Sequence, residues 1–250
     1  MSQFYTPKRK KNIFDPKSKV PFNLSRSKID FFMNCPRCFY IDRRLGVGQP
    51  SGPPFSLNKA VDELLKKEFD IHRIEGNKHP LIERYGLDCV PFQHENMGKW
   101  RDNFSGVQYH HKKTNFIVTG AIDDLWINGD GQLHVVDYKA TSNTKEITLD
   151  EDWKIIYKRQ VEIYQWLLRR NGFDVSDLAY FVYCNGSTDR EAFDAKLEFD
   201  VKILPYEGSD DWIEQTIIDA HDCLMQNELP DSGPECDFCA YTSALNDLGI

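Results

Sequence analysis

The middle third of the 250-residue sequence constrains it most, because several β patterns follow one another there and lead into a single amphipathic helix. FIVTGAIDDLWIN (116–128) and QLHVVDYKAT (132–141) are strongly apolar strand patterns joined across Gly129-Asp130-Gly131, a tight hairpin signal. VQYHHKK (107–113) reads as a further strand ahead of them. DEDWKIIYKRQVEIYQWLLRRNG (150–172) has helical periodicity and ends in Arg169, Arg170, Asn171 and Gly172, which suit a helix C-terminus. Two more strands are expected at LAYFVYCNG (178–186) and AFDAKLEFDVKIL (192–204), and a last helix at DWIEQTIIDAHDCLMQNEL (211–229). Upstream, Ser25 can cap a helix running SKIDFFMNCPRCFYIDRRLG, kinked or broken at Pro36. LNKAVDELLKKEFDIHR (57–73) places Leu57, Val61, Leu64, Leu65 and Phe69 on one helix face. The order α-α-β-β-β-α-β-β-α predicts a mixed α/β (α+β) fold, its sheet begun by antiparallel strands and flanked by helices.

Charged residues sit inside these apolar strands. Within QLHVVDYKAT, Val135, Asp137 and Lys139 share one face, and His134, Val136 and Tyr138 share the other. In the preceding strand Asp123 and Asp124 are flanked by apolar residues, and alternation allows only one of them to face the side of Asp137. Neighbouring strands lie ~5 Å apart, so two carboxylates can converge on one point. Uncompensated, they would drive one another toward protonation. A divalent cation resolves the conflict, and hard oxygen donors point to Mg2+ or Mn2+. A D-x-K triplet alone is most often an ordinary ion pair, and its weight here comes from the residues around it.

GAIDD, VVDYKAT and QVEIYQWLL, in that order, resemble the core of the PD-(D/E)XK nuclease superfamily, and most of all its RecB-type branch, which includes the CRISPR-adaptation exonucleases. The resemblance implies a restriction-endonuclease-like α-β-β-β-α-β core. It also implies a metal-dependent nuclease that hydrolyses DNA phosphodiester bonds, as a RecB-like exonuclease serving DNA repair or defence. On the matching positions, Asp123, Asp137, Lys139, Gln160 and Tyr164 would be catalytic. Asp123, Asp137 and the backbone carbonyl of Tyr138 would hold the metal. The branch usually carries a histidine in the helix before the sheet; Asp62 stands at that position here and would serve as a further carboxylate ligand. A non-catalytic DNA-binding or adaptor module that keeps the fold is the alternative, and a zinc-clamped scaffold with incidental carboxylates is a third.

Cys35-Pro-Arg-Cys38 and Cys236-Asp-Phe-Cys239 are two C-x-x-C pairs at opposite ends of the chain. Together they predict a four-thiolate site for structural zinc or an iron–sulfur cluster, clamping the first helix to the C-terminal segment. Relatives of RecB type often hold a 4Fe-4S cluster on one N-terminal and three C-terminal cysteines. No cysteine follows Cys239, so Cys38 would supply the fourth ligand and the choice between cluster and zinc stays open. Cys89, Cys184 and Cys223 lack ligand spacing and read as buried thiols.

The formal net charge of −8 argues at first against a nucleic-acid partner, but the charge is unevenly spread. Up to Gly48 the chain carries eleven basic and three acidic residues, a net +8, which leaves −16 for the rest. Residues 1–22 are expected to be a basic disordered arm, 23–229 the nuclease domain, and 230–250 the cysteine clamp segment packing on the Cys-Pro helix. Arg37, Arg43 and Arg44, near the clamp, are expected phosphate contacts. The implied partners are DNA, single-stranded or at duplex ends, and a helicase or integrase. No apolar run approaches the ~18 residues of a membrane span, and seven cysteines without a secretory signal favour a reducing, cytoplasmic setting.

Overall fold

The computed structural model describes residues 8–50, 52 and 56–249. In chain order it forms β1 (Phe22–Ser25), α1 (Arg26–Asn34), α2 (Pro36–Arg43), α3 (Ser56–Glu75), α4 (Pro80–Arg84), β2 (Cys89–Pro91), α5 (Met97–Trp100), β3 (Val107–His111), β4 (Phe116–Gly120), β5 (Asp124–Asn128) and β6 (Leu133–Thr141). A 3-10 turn (Asp152–Lys154) leads into α6 (Ile155–Arg170), followed by β7 (Leu178–Gly186), β8 (Phe199–Glu207), α7 (Ile213–Met225) and α8 (Asp237–Asp247). The fold is the expected mixed α/β class. None of the described helices is long and apolar enough to cross a membrane. The chain divides into two compact units that interleave in sequence and cross the boundaries expected from the sequence. The first is Met1–Pro53 with Tyr109–Thr119 and Asp211–Ile250, and the second is Pro54–Gln108 with Gly120–Asp210.

The second unit is built on a five-stranded sheet in the order β2-β5-β6-β7-β8. β5 and β6 pair antiparallel as the hairpin across Gly129-Asp130-Gly131, β6 and β7 pair parallel through the α6 crossover, and β7 and β8 are antiparallel. β6 is buried continuously from Leu133 to Tyr138, as expected of a central strand covered on both faces. On one face Val136 and Tyr138 pack with Leu65 and Phe69 of α3 and with Trp126, Tyr180 and Val182. Leu57 and Leu64, expected on that buried face, are instead 61 % and 63 % exposed. The inward stripe of α3 is Leu65, Phe69 and Arg73, and the third of these is charged because it answers a buried carboxylate described below.

FIVTGAIDDLWIN does not form one strand. β4 belongs to a three-stranded sheet and β5 to the five-stranded one, with residues 121–123 turning between them. Two contacts set this break. Gly120 lies so close to the Tyr164 ring that a Cβ there would be 2.6 Å from Cε1, and the Ile122 N–H donates to the Trp100 carbonyl at 3.1 Å.

In the first unit β1 runs parallel to β4, with β3 on the other side of β4. The expected break at Pro36 is present. Cys35 is extended (φ −158°), ending α1 and starting α2, with Pro36 in the first turn where a missing N–H costs nothing. Ser25 sits at the α1 N-cap position but its hydroxyl bonds Ser27 rather than the helix backbone. The expected solvated arm is different from residue 9 onward: the Arg9 N–H donates to the Gly46 carbonyl at 2.7 Å, its guanidinium pairs with Asp42 at 2.7 Å, and the Phe14 N–H reaches the Arg43 carbonyl at 2.7 Å. Phe14 is buried against Phe22, Phe116 and His221, so apolar burial opposes the disorder that the basic run alone suggests. Residues 1–7 of that arm lie outside the described residues.

Candidate active site

The second unit gathers charged groups where β6 leaves the buried part of its sheet. Strand alternation sends Asp137 and Lys139 to the face of α6, and the Lys139 ammonium pairs with the Asp137 carboxylate. From α6, the Gln160 amide donates from Nε2 to Asp137 Oδ1 at 2.7 Å and to the Tyr164 hydroxyl at 3.1 Å, while its Oε1 accepts from Lys139 at 3.4 Å. Gln160 and Tyr164 are one helical turn apart and act on the same point. Lys139 Nζ also lies 4.5 Å from the centre of the Tyr157 ring. Asp123, just ahead of β5, is aimed by the Tyr138 N–H, which donates to its Oδ2 at 3.1 Å. The Tyr138 side chain turns to the other face and donates to Asp124 at 2.6 Å.

A second lysine completes the group. Lys66 of α3 reaches Asp62 Oδ2 at 2.8 Å and Asp123 Oδ1 at 3.0 Å. The electrostatics follow from these pairings. Burial works against ionisation of Asp123, but Lys66, Lys139 and the Tyr138 N–H outweigh it and hold its carboxyl below the ordinary carboxylate range. Asp62 goes the other way: burial and the neighbouring Asp123 charge raise it, with Lys66 opposing. Burial alone would depress Lys139, yet Asp137 and Asp123 keep its pKa raised, so it is a fixed ammonium rather than a base.

The donors suit a hard divalent cation. Asp62, Asp123 and Asp137 offer carboxylate oxygens, and Asp62 Oδ1 is buried with no hydrogen-bond partner among the described residues. Their oxygens do not crowd together as a bare metal cage: among the described residues, the one group of three or more candidate ligand atoms all within 4.8 Å is formed by cysteines. Each of the three carboxylates is paired with a lysine instead.

Beneath Asp123 lies an ionic layer that sequence reasoning missed. Asp124 is fully buried and is held by Arg73, by Arg101 at 3.1 Å and by Tyr138. Arg101 also donates to the Asp123 carbonyl at 2.8 Å and pairs with Asp70 at 2.8 Å. This layer fixes the backbone that presents Asp123. The acidic residue expected to face away from Asp137 is therefore Asp124, a structural anchor.

In the first unit the two C-x-x-C pairs meet. Their four Sγ atoms lie within 4.8 Å of one another, with Cys38 at 3.5 Å from Cys239 and 3.6 Å from Cys236, and Cys35 at 3.7 Å from Cys239. The Gly233 and Cys38 N–H groups donate to Cys35 Sγ at 3.2 and 3.4 Å. Burial raises the Cys35 pKa, but these donors and the neighbouring thiols bring it down to about 7, whereas burial pushes Cys239 up to about 11. Gly233 is required for the close approach, since a Cβ would fall 2.0 Å from the Asn34 carbonyl oxygen. Cys89, Cys184 and Cys223 are buried thiols, as expected. The three arginines beside the clamp differ in their surroundings. Arg43 is only 4 % exposed and is consumed by Asp42 at 2.8 Å, and Arg37 donates to the Pro230 carbonyl at 2.9 Å. Arg44 is half-buried, with its Nε enclosed and lacking a hydrogen-bond partner among the described residues.

The family model of the PD-(D/E)XK nuclease superfamily matches residues 56–244. The chain belongs to that superfamily. No curated protein matches it. A solved structure titled "Crystal structure of SSO0001" is similar at 17 % identity, over 91 % of this chain and 86 % of its own, with a TM-score of 0.45. For this PD-(D/E)XK protein, the residues missing from the sequence reading are Lys66, Arg73 and Arg101. Lys66 had one available signal, its i,i+4 spacing from Asp62. Arg73 had its place on the Leu65–Phe69 stripe of α3, and Arg101 had none, because it meets Asp124 from a distant loop.

Proposed function

We propose that this PD-(D/E)XK protein is a divalent-metal-dependent deoxyribonuclease, acting on DNA ends as a RecB-like exonuclease. The observation that carries the reading is the hydrogen-bonded chain Tyr164–Gln160–Asp137–Lys139 facing Asp123. A purely structural Asp–Lys pair needs no glutamine gripping both members. Asp62, Asp123, Asp137 and the Tyr138 carbonyl would hold Mg2+ or Mn2+, which when bound would neutralise the scissile phosphate and lower the pKa of a water. Hydrolysis forms a bond from a water oxygen to phosphorus and breaks the bond to the leaving sugar oxygen. Lys139, a fixed ammonium, orients that water and faces the charge that grows on the phosphoryl oxygens. Gln160 keeps Asp137 and Lys139 in register, and Tyr164 limits the rotation of Gln160. Degradation of linear single- and double-stranded DNA with Mn2+, beside Asp137→Ala, tests the assignment. Loss of cleavage in a folded variant supports it, and undiminished cleavage overturns it.

For the cysteines we propose structural zinc. A tetrahedral ion with Zn–S near ~2.3 Å spaces its sulfurs by ~3.8 Å, close to the 3.5–3.7 Å of three of the six Sγ pairs, with all four atoms within 4.8 Å of one another. A four-iron cluster attaches each thiolate to a different iron and holds the sulfurs farther apart. The zinc would fasten α2 to the N-terminus of α8. Metal analysis of the purified protein decides: one zinc and no visible absorption supports the reading, and a brown protein with absorption near ~400 nm contradicts it.

A further inference from the structure

Lys66 has no part in the chemistry assigned so far, yet it is ion-paired to two of the proposed metal ligands. Its ammonium bridges Asp62 and Asp123 at 2.8 and 3.0 Å, in a setting where the three side chains are only 20–28 % exposed. Charges so enclosed interact more strongly than a surface pair. The bridge satisfies only one oxygen of Asp62; Oδ1 is buried without a hydrogen-bond partner among the described residues. Asp62, Asp123 and Asp137 with Lys66 and Lys139 leave one negative charge in excess. Without Lys66 the excess is two, which one divalent cation neutralises. A lysine is suited to leaving such a place, because its compact charge rides on a flexible four-carbon stem.

We propose that Lys66 is the resident counter-ion of the Asp62–Asp123 pair, holding the space the two carboxylates would share on a divalent cation, so that metal binding proceeds by displacing its ammonium. The proposal rests on reading these carboxylates as the metal site. It makes Lys66 a positioning residue: it keeps two like charges together while no metal is bound and weakens metal affinity in exchange.

The test is Mn2+ binding to the 250-residue chain, purified with whatever metal its cysteines hold and measured without DNA by the free-Mn2+ EPR signal. The parent is compared with Lys66→Met, Lys66→Gln and Lys66→Arg, each checked by circular dichroism. Lys66→Met and Lys66→Gln should bind Mn2+ about tenfold more tightly than the parent, and Lys66→Arg should stay near the parent. A merely structural salt bridge predicts lower thermal stability in all neutral variants with no gain in affinity. Mn2+ affinity in both neutral variants equal to or below the parent's therefore overturns the proposal while leaving the metal site in place. Asp123→Asn separates the two levels: if it removes no Mn2+ binding from the parent or from Lys66→Met, the metal-site reading falls and the counter-ion role falls with it.

Discussion

Gly120→Ala tests how tightly the proposed site is coupled to the fold. A Cβ at this position would lie 2.6 and 2.9 Å from Tyr164 Cε1 and Cδ1 and 3.0 Å from Leu167 Cδ1. Tyr164 is 2 % exposed and Leu167 fully buried, so neither ring nor methyl has open space to enter. Overpacking of this kind costs about 1–3 kcal/mol. For a chain of this size that lowers the melting point by roughly 2–12 °C. The effect should not stop at stability. Pushing Tyr164 aside moves the hydroxyl that accepts from Gln160 at 3.1 Å, and Gln160 in turn holds Asp137 at 2.7 Å. A displacement near 1 Å at reacting groups lowers rates by about 10²-fold. The assay pairs thermal unfolding with Mn2+-dependent degradation of linear DNA, measured well below the variant's melting point. A variant that melts with the parent and cuts at the parental rate would refute the coupling, because the backbone would then have room the structure does not show.

Other perturbations separate the remaining elements. Asp124→Ala removes the buried carboxylate that Arg73, Arg101 and Tyr138 share and leaves the two arginines only the more exposed Asp70 as an ion-pair partner. Denaturant titration should therefore show a loss toward the low end of the about 3–5 kcal/mol for breaking a buried ion pair from one side, and Asp124→Asn a smaller one. Cys239→Ser should lower the zinc content proposed for the cysteine site, read by metal analysis, and loosen the first unit, read as faster proteolysis near the C-terminus. His134 is depressed below the ordinary 6.5 of imidazole by burial, despite its hydrogen bond to the Leu178 carbonyl. The folded protein then binds fewer protons than the unfolded chain, so the stability His134 supplies is whole above pH 6.5 and declines as pH falls below it. Unfolding midpoints between pH 7.5 and 5.5 should fall in the parent and fall less in His134→Gln.

The sequence carried the parts of this account that depend on short-range pattern. Alternation in QLHVVDYKAT placed Asp137 and Lys139 on one face, helical spacing placed Gln160 and Tyr164 together, and paired C-x-x-C motifs announced a thiolate cluster. Long-range pairing was not legible. Nothing local in FIVTGAIDDLWIN shows that its halves join different sheets, because both halves alternate as strands and the break is set by Tyr164 and Trp100. Leu57 and Leu64 satisfy helical periodicity as well as Leu65 and Phe69 do, and the choice between stripes is made by Arg73 answering Asp124. The basic run before Gly48 concealed Phe14, whose burial ties down a segment that charge alone would leave in solvent. The pairing of Asp42 with Arg9, Lys28 and Arg43 is equally hidden in the sequence, because two of the three partners lie fourteen or more residues away.

The central claim is that the Asp137–Lys139–Gln160 group performs metal-dependent phosphodiester hydrolysis. Its most direct test is the rate at which the purified chain degrades end-labelled linear DNA in Mn2+, compared with Asp137→Ala at matched circular dichroism and melting behaviour. The account predicts parental cleavage that chelation by EDTA abolishes and that the folded variant lacks. A folded Asp137→Ala protein that cuts as fast as the parent would contradict it.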